Sequence, residues 1–266
     1  MISRKTRTEQ FRKLHHGPEL LVLPNAWDAI SARILEAEGY PAVASSSAGM
    51  AAVLGYPDGQ KIPRSEMIFL VSKMVNAVDV PISADVEAGY GDAVQTAHDL
   101  IACGAAGMNL EDMAGDELLP LSVQLDTIRA VRNDSDIVIN ARTDIFLARH
   151  GEAATRFDRT VERLNAFHDA GADCLFAPGV ADAETIGRLA SAVTGPLNIL
   201  ATVGSPSLAE MKSLGVKRVS LGSGTSRVAL GAFRQFVRTL RDHGTYSGLD
   251  TGAISYADVQ HLLSRD

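Results

Sequence analysis

The chain has 266 residues, 46% of them hydrophobic and 21% charged, with a net charge of -7 and no block of Lys and Arg. A chain of this size and mix buries a sizeable core as one large domain or two smaller ones, and its acidity excludes the electrostatic footprint of a nucleic-acid or anionic-membrane binder, leaving a small molecule as the expected ligand. Two cysteines in dissimilar settings, Cys103 and Cys174, argue against a disulfide framework or a zinc centre, and the absence of a leader-like or bilayer-length apolar run points to the cytoplasm.

In chain order, residues 4–16 are polar with a few apolar positions and predict a short leading helix, followed by a strand over 20–23 that Pro24 ends. A helix starts at Asp28, a suitable N-cap, and stops at Gly39. The strand 42–45 opens into small residues ending at Gly49, and the Gly/Pro-rich segment 55–63 leads to a helix over 65–78. Strands over 81–84, 107–110, 136–141, 173–176, 197–200 and 217–221 follow, each with its helix, over 93–102, 122–132, 152–170, 182–193, 207–214 and 225–242. Gly39, Gly104, Gly171 and Gly215 each stand at a helix end just before a strand, where glycine takes the left-handed conformation that turns the chain back. Eight alternating units, within the roughly 250 residues typical of the architecture, predict a (β/α)8 TIM barrel over 1–244. A doubly wound open sheet is the alternative, disfavoured because no G-x-G-x-x-G follows the first strand. Residues 245–266 form a linker and an appended amphipathic helix over 254–263, which needs a neighbour to pack on and so suggests an oligomer.

In barrels of this kind, chemistry sits at the C-terminal ends of the strands. There the stretch Ser83-Ala84-Asp85-Val86-Glu87-Ala88-Gly89-Tyr90-Gly91-Asp92 sets three carboxylates behind an apolar run, Glu111 and Asp112 follow the next strand, and Arg142 and Asp144 the one after. Asn25, Trp27 and Asp28 follow the first strand and Ser45, Ser46 and Ser47 the second. Carboxylates crowded into a dry pocket need a compensating cation, and oxygen-only ligands suit a hard ion. Mg2+, which takes one or two carboxylates directly and keeps several waters, fits this set with Asp85 as the direct ligand. Arg142 is the candidate clamp for a substrate carboxylate, with pairing to Asp144 as its competing role, and the backbone N–H groups of Ser45 to Ser47 are candidates for holding an oxyanion. On local grounds Asp58, in Tyr56-Pro57-Asp58-Gly59, reads as a turn residue, and Trp27 as either core packing or a pocket wall. His98, His150 and His168 show no triad or metal spacing.

The ordered set Leu23-Pro24-Asn25-Ala26-Trp27-Asp28, Ser45-Ser46-Ser47-Ala48-Gly49, Leu54-Gly55-Tyr56-Pro57-Asp58, Ala84-Asp85-Val86-Glu87-Ala88-Gly89-Tyr90-Gly91, Asn109-Leu110-Glu111-Asp112 and Ala141-Arg142-Thr143-Asp144 resembles the isocitrate lyase/phosphoenolpyruvate mutase superfamily over about residues 20–225. The resemblance implies a tetrameric barrel with its last helix swapped between subunits, and Mg2+ (or Mn2+) chemistry on α-keto or α-hydroxy carboxylates through an enolate. It implies Asp85 as the direct metal ligand, Asp58, Glu87 and Glu111 as water-mediated partners, Ser45 to Ser47 and Trp27 as the substrate-binding segment and wall, and Arg142 as the substrate arginine, with Arg142, Glu111 and Asp58 closest to the reaction. Two departures stand out. Relatives usually carry Asp where this chain has Glu87, and the segment 113–120 lacks both the Cys-bearing motif of the lyases and the Asn-bearing gate of the mutases, so that the chain resembles a phosphonomutase-like member with a short loop after the fourth strand. The expected activity is a Mg2+-dependent carbon–carbon lyase on a small keto or hydroxy (di)carboxylate. The alternatives are a phosphonopyruvate-type mutase or hydrolase, and a non-catalytic keto-acid binder; the expected assembly is a homodimer or homotetramer.

Overall fold

Nine strand segments in one parallel sheet curl into a near-closed barrel in the computed structural model, which describes residues 4–249 and 252–264. They are β1 (Leu21–Leu23), β2 (Asn25–Ala26), β3 (Val43–Ser45), β4 (Ile82–Asp85), β5 (Gly107–Glu111), β8 (Val138–Arg142), β9 (Cys174–Phe176), β10 (Leu197–Leu200) and β11 (Arg218–Ser220). A separate antiparallel hairpin, β6 (Met113–Ala114) with β7 (Glu117–Leu118), lies between β5 and β8 in the chain. The sheet order runs β1, β11, β10, β9, β8, β5, β4, β3, β2. Its two ends are therefore consecutive in sequence, parted only by Pro24: β1 pairs with β11 and β2 with β3.

One side chain stitches that seam. Asn25 donates through Nδ2 to the Ser45 carbonyl at 2.6 Å, while its Oδ1 accepts the amides of Leu221 (2.9 Å) and Gly222 (2.8 Å). Near the other end of the strands, α1 (Arg4–Leu14) lays Phe11 against Gly107, where an added Cβ would stand 2.6 Å from the ring. Phe11 forms a small apolar floor with Leu21, Leu23, Ala42, Ala44, Ala106 and Val138.

The other helices are α2 (Ala29–Ala37), α3 (Ser47–Val53), α4 (Arg64–Ala77), α5 (Ala93–Cys103), α6 (Leu121–Asp134), α7 (Ala153–Asp169), α8 (Ala183–Ala192), α9 (Leu208–Ser213), α10 (Gly224–His243) and α11 (Tyr256–Leu263). Every strand and helix expected from the sequence is present, and the four helix-ending glycines have φ of +85° to +111°. Asp28 caps α2 in a reciprocal capping box with Ser31. Beyond these, β2, α3, the hairpin and a short 3-10 turn over Ser247–Leu249 were not expected. Residues 47–53 are small and carry no helical periodicity, and α3 is announced only by Ser46, whose hydroxyl accepts the Gly49 amide at 3.2 Å. The appended helix α11 packs on α2 of its own chain, where Arg33 Nε donates to the Leu262 carbonyl at 2.5 Å. Among the described residues no helix is long and apolar enough to cross a membrane.

Candidate active site

Strand β4 ends on Asp85, which is 8% exposed. Its amide donates to Ser45 Oγ at 2.8 Å, and its Oδ2 accepts both the amide (3.1 Å) and the hydroxyl (2.9 Å) of Ser47. The other oxygen, Oδ1, is buried without a protein partner. A buried acceptor left unpaired is costly, so this oxygen is set for a ligand. The three-serine segment is thus tied to the carboxylate as well as to the mouth. The Ser47 amide serves Asp85, and the Ser46 amide donates to the Ala26 carbonyl at 3.0 Å in the sheet.

Three further carboxylates surround Asp85. Glu87 is buried, and burial first, then the charges of Asp58 and Asp85, push its carboxyl up to about 7, against the pull of the Gln60 backbone amide. Glu111, at the end of β5, is pushed up to about 8, again by burial first, with Arg142 opposing the shift and Asp144, Asp85 and Glu87 adding to it. Asp58 lies in an exposed loop, yet partial burial and the charge of Asp85 raise it too. Burial and mutual repulsion thus favour the protonated form throughout the set, and a cation would favour the ionised form. Among the described residues no three His, Cys, Asp or Glu side chains converge as a ready-made metal cage.

Arg142, at the end of β8, is the cationic counterweight. Its Nε and Nη2 grip Asp144 bidentately at 2.6 and 2.7 Å, its Nη1 stands 3.0 Å from Glu111, and its guanidinium lies over the Phe176 ring. The pairing with Asp144 weighed for it in the sequence is present and orients the guanidinium, and two of its five N–H groups remain beyond those three contacts.

This mouth can be set beside known proteins. A family model described as phosphoenolpyruvate phosphomutase matches residues 11–241. The chain belongs to that family. It thereby belongs to the isocitrate lyase/phosphoenolpyruvate mutase superfamily, as its motifs implied. A solved structure from Burkholderia cenocepacia J2315, provisionally described as a lyase/mutase, superposes with a TM-score of 0.91 at 34% identity, covering 98% of this chain and 97% of the other. Oxaloacetate decarboxylase of Paraburkholderia xenovorans (strain LB400) is 31% identical over 91% of this chain and 84% of its own. The structure of oxaloacetate acetylhydrolase in complex with the product oxalate superposes with a TM-score of 0.85 at 27% identity, over 97% of this chain and 93% of the other.

Within this phosphoenolpyruvate phosphomutase family member, two acids adjacent in sequence divide sharply in role. Glu111 faces the carboxylate cluster, whereas Asp112 is wholly buried, accepts Arg163 Nε at 2.8 Å and the Asp144 amide at 3.0 Å, and so braces the loop that carries Arg142's partner. Arg163 also donates to the Leu119 carbonyl at 2.9 Å, and the Leu119 amide donates to Asp112 O at 2.8 Å, which anchors the β6–β7 hairpin to α7. Trp27 is half-buried and lines a groove of about 300 Å3 with Gly49, Ala52 and residues of α10. Sequence reasoning missed Gln60, whose Oε1 accepts the Tyr90 amide at 2.7 Å. Its only signal was position, two residues past Asp58 in a Gly-rich loop.

Proposed function

We propose that this chain is a Mg2+-dependent carbon–carbon lyase that cleaves a small α-keto or α-hydroxy (di)carboxylate to an enolate-level product. The observation that supports it most is Asp85, with one oxygen pinned by Ser47 and the other buried and unpartnered beside Glu87 and Glu111, whose carboxyls are pushed up to about 7 and 8. An all-oxygen set of this kind fits Mg2+, or Mn2+, with Asp85 as direct ligand and Asp58, Glu87 and Glu111 acting through water. When bound, the ion supplies Lewis-acid polarisation of the substrate's oxygens. On this reading β1 and β2 are one strand broken at Pro24, giving an eight-stranded barrel with the site at its mouth.

The chain's own groups do the rest. Arg142, oriented by Asp144, offers its remaining N–H groups to a substrate carboxylate, and Glu111 yields to it as the competing anion. The Ser45 to Ser47 segment holds Asp85 in place, its Ser46 and Ser47 amides being taken by the Ala26 carbonyl and the Asp85 carboxylate instead of an oxyanion, and Trp27 closes one side. The same reading makes the protein an oligomer: Leu230, Phe233, Val237 and Leu240 form one apolar stripe along α10 and are exposed at 36% or more.

Calorimetric titration of oxalate, a planar mimic of pyruvate enolate, with and without Mg2+, tests the site. Binding that requires Mg2+ and disappears in Asp85→Ala is the expected outcome; oxalate binding indifferent to both would sink the proposal.

A further inference from the structure

Among the described residues four non-glycine positions adopt positive φ: Gln60 (+56°), Glu87 (+51°), Tyr90 (+56°) and Arg149 (+51°). Three of the four meet at the barrel mouth. The Tyr90 amide donates to Gln60 Oε1 at 2.7 Å, the Gln60 backbone amide faces the Glu87 carboxylate, and the Tyr90 hydroxyl stands 3.5 Å from Glu87 Oε1. A left-handed backbone at a residue with a Cβ is unfavourable and persists where its surroundings over-determine it, most often at a functional site. The clasp so formed joins two segments distant in sequence, the loop that carries Asp58 and the turn behind β4 that carries Glu87.

We infer that Gln60 and Tyr90 are positioning residues that fix the Glu87 carboxylate, so that this acid, one methylene longer than Asp85, serves water around the ion instead of becoming a second direct ligand. The inference rests on the metal-site reading above and deepens it. A glutamate reaches about 1.5 Å further than an aspartate on the same backbone. Left free beside Asp85 it would chelate, and a site with two direct carboxylates, one of them bidentate, suits Ca2+ better than Mg2+. Glu87 takes a left-handed backbone at φ +51°, and the Tyr90 hydroxyl, 3.5 Å from its Oε1, and the nearby Gln60 amide border its carboxylate.

The test is calorimetric titration of Mg2+ and, separately, Ca2+ into the metal-free full chain, for wild type, Gln60→Gly, Gln60→Asn and Tyr90→Phe. Glycine favours the φ of position 60 and keeps its backbone amide, so Gln60→Gly removes the side-chain latch without adding strain. The expected result is Mg2+ affinity lowered about tenfold in Gln60→Gly, the scale of one lost hydrogen bond, with Ca2+ affinity unchanged or raised and Tm not reduced. Tyr90→Phe, which leaves the backbone alone, should shift the ion preference in the same direction, and Gln60→Asn, which tolerates a left-handed backbone and keeps a side-chain amide, should recover part of the loss. Equal losses for both ions, or wild-type affinities in Gln60→Gly and Tyr90→Phe alike, would overturn the clasp while leaving the metal site standing. Failure of wild type to bind Mg2+ at all would overturn both.

Discussion

Asn25 does with one amide what a whole strand edge does elsewhere: it serves a carbonyl on β3 and two amides just beyond β11, across the seam where the sheet's ends meet. Asn25→Ala would leave two amides and a carbonyl without this partner, so a loss of about 2–4 kcal/mol is expected in urea unfolding, with an unchanged m-value. Asp144 acts on the site instead of the fold. Without its bidentate grip Arg142 keeps only Glu111, so Asp144→Ala should raise KM for a carboxylate substrate about tenfold or more while Mg2+ affinity changes little. A matching loss of Mg2+ affinity in calorimetry would show instead that Asp144 supports the whole mouth. At this scale the sequence was legible in identity and not in partnership. Asp85, Glu87, Glu111 and Arg142 are recognisable as strand-end residues, but nothing in Asn25 announces a seam, and nothing in Ser47 announces that its amide is taken by Asp85.

Elements were legible where apolar runs had sharp boundaries. The strands behind Pro81 and Pro196 and the helices closed by Gly104 and Gly171 stand where turn chemistry places them. The short helix α3 was not, because alanines and glycine carry no hydrophobic face, and the β6–β7 hairpin was not, because two-residue strands show no alternation. Length alone made α10 readable, yet its consequence lies in what it leaves uncovered. Positions 230, 233, 237 and 240 form an apolar stripe along it, and Phe233 remains 65% exposed within one chain. On the oligomeric reading proposed above, Phe233→Glu should convert the assembly to monomers in sedimentation velocity; an unchanged sedimentation coefficient would exclude this stripe as the contact. The β6–β7 hairpin depends on a different device, the buried Asp112–Arg163 pair. Arg163→Met removes one partner of a desolvated pair and should cost about 3–5 kcal/mol of stability, far more than loss of a surface bridge such as that of Lys212 with Glu19.

Across the whole molecule, the floor and the mouth of the barrel respond to pH in opposite directions. At the floor, burial first and then the charge of Arg218 hold His15 down to about 3, from an ordinary 6.5, with Nδ1 donating to the Phe11 carbonyl at 2.9 Å. The unfolded chain therefore takes up a proton below pH 6.5 that the folded chain refuses, and this contribution to stability is lost as pH falls from 6.5 toward 3. At the mouth the sign reverses. Glu87 and Glu111 hold their protons to about 7 and 8 in the fold but release them near 4.5 when unfolded, so stability falls as pH rises from 4.5 to 8 and levels off above. Between pH 4.5 and 6.5 the two slopes oppose each other, the two protons held at the mouth against the one refused at the floor. A cation that keeps both glutamates ionised cancels the mouth's slope and leaves that of His15. The rise in Tm produced by saturating Mg2+ should therefore be small at pH 5 and grow steadily to pH 8, and Glu111→Gln, which no longer titrates, should flatten part of that growth. Thermal unfolding across this range with and without Mg2+ measures both, and a Mg2+ effect equal at pH 5 and pH 8 would show that these glutamates do not face the ion.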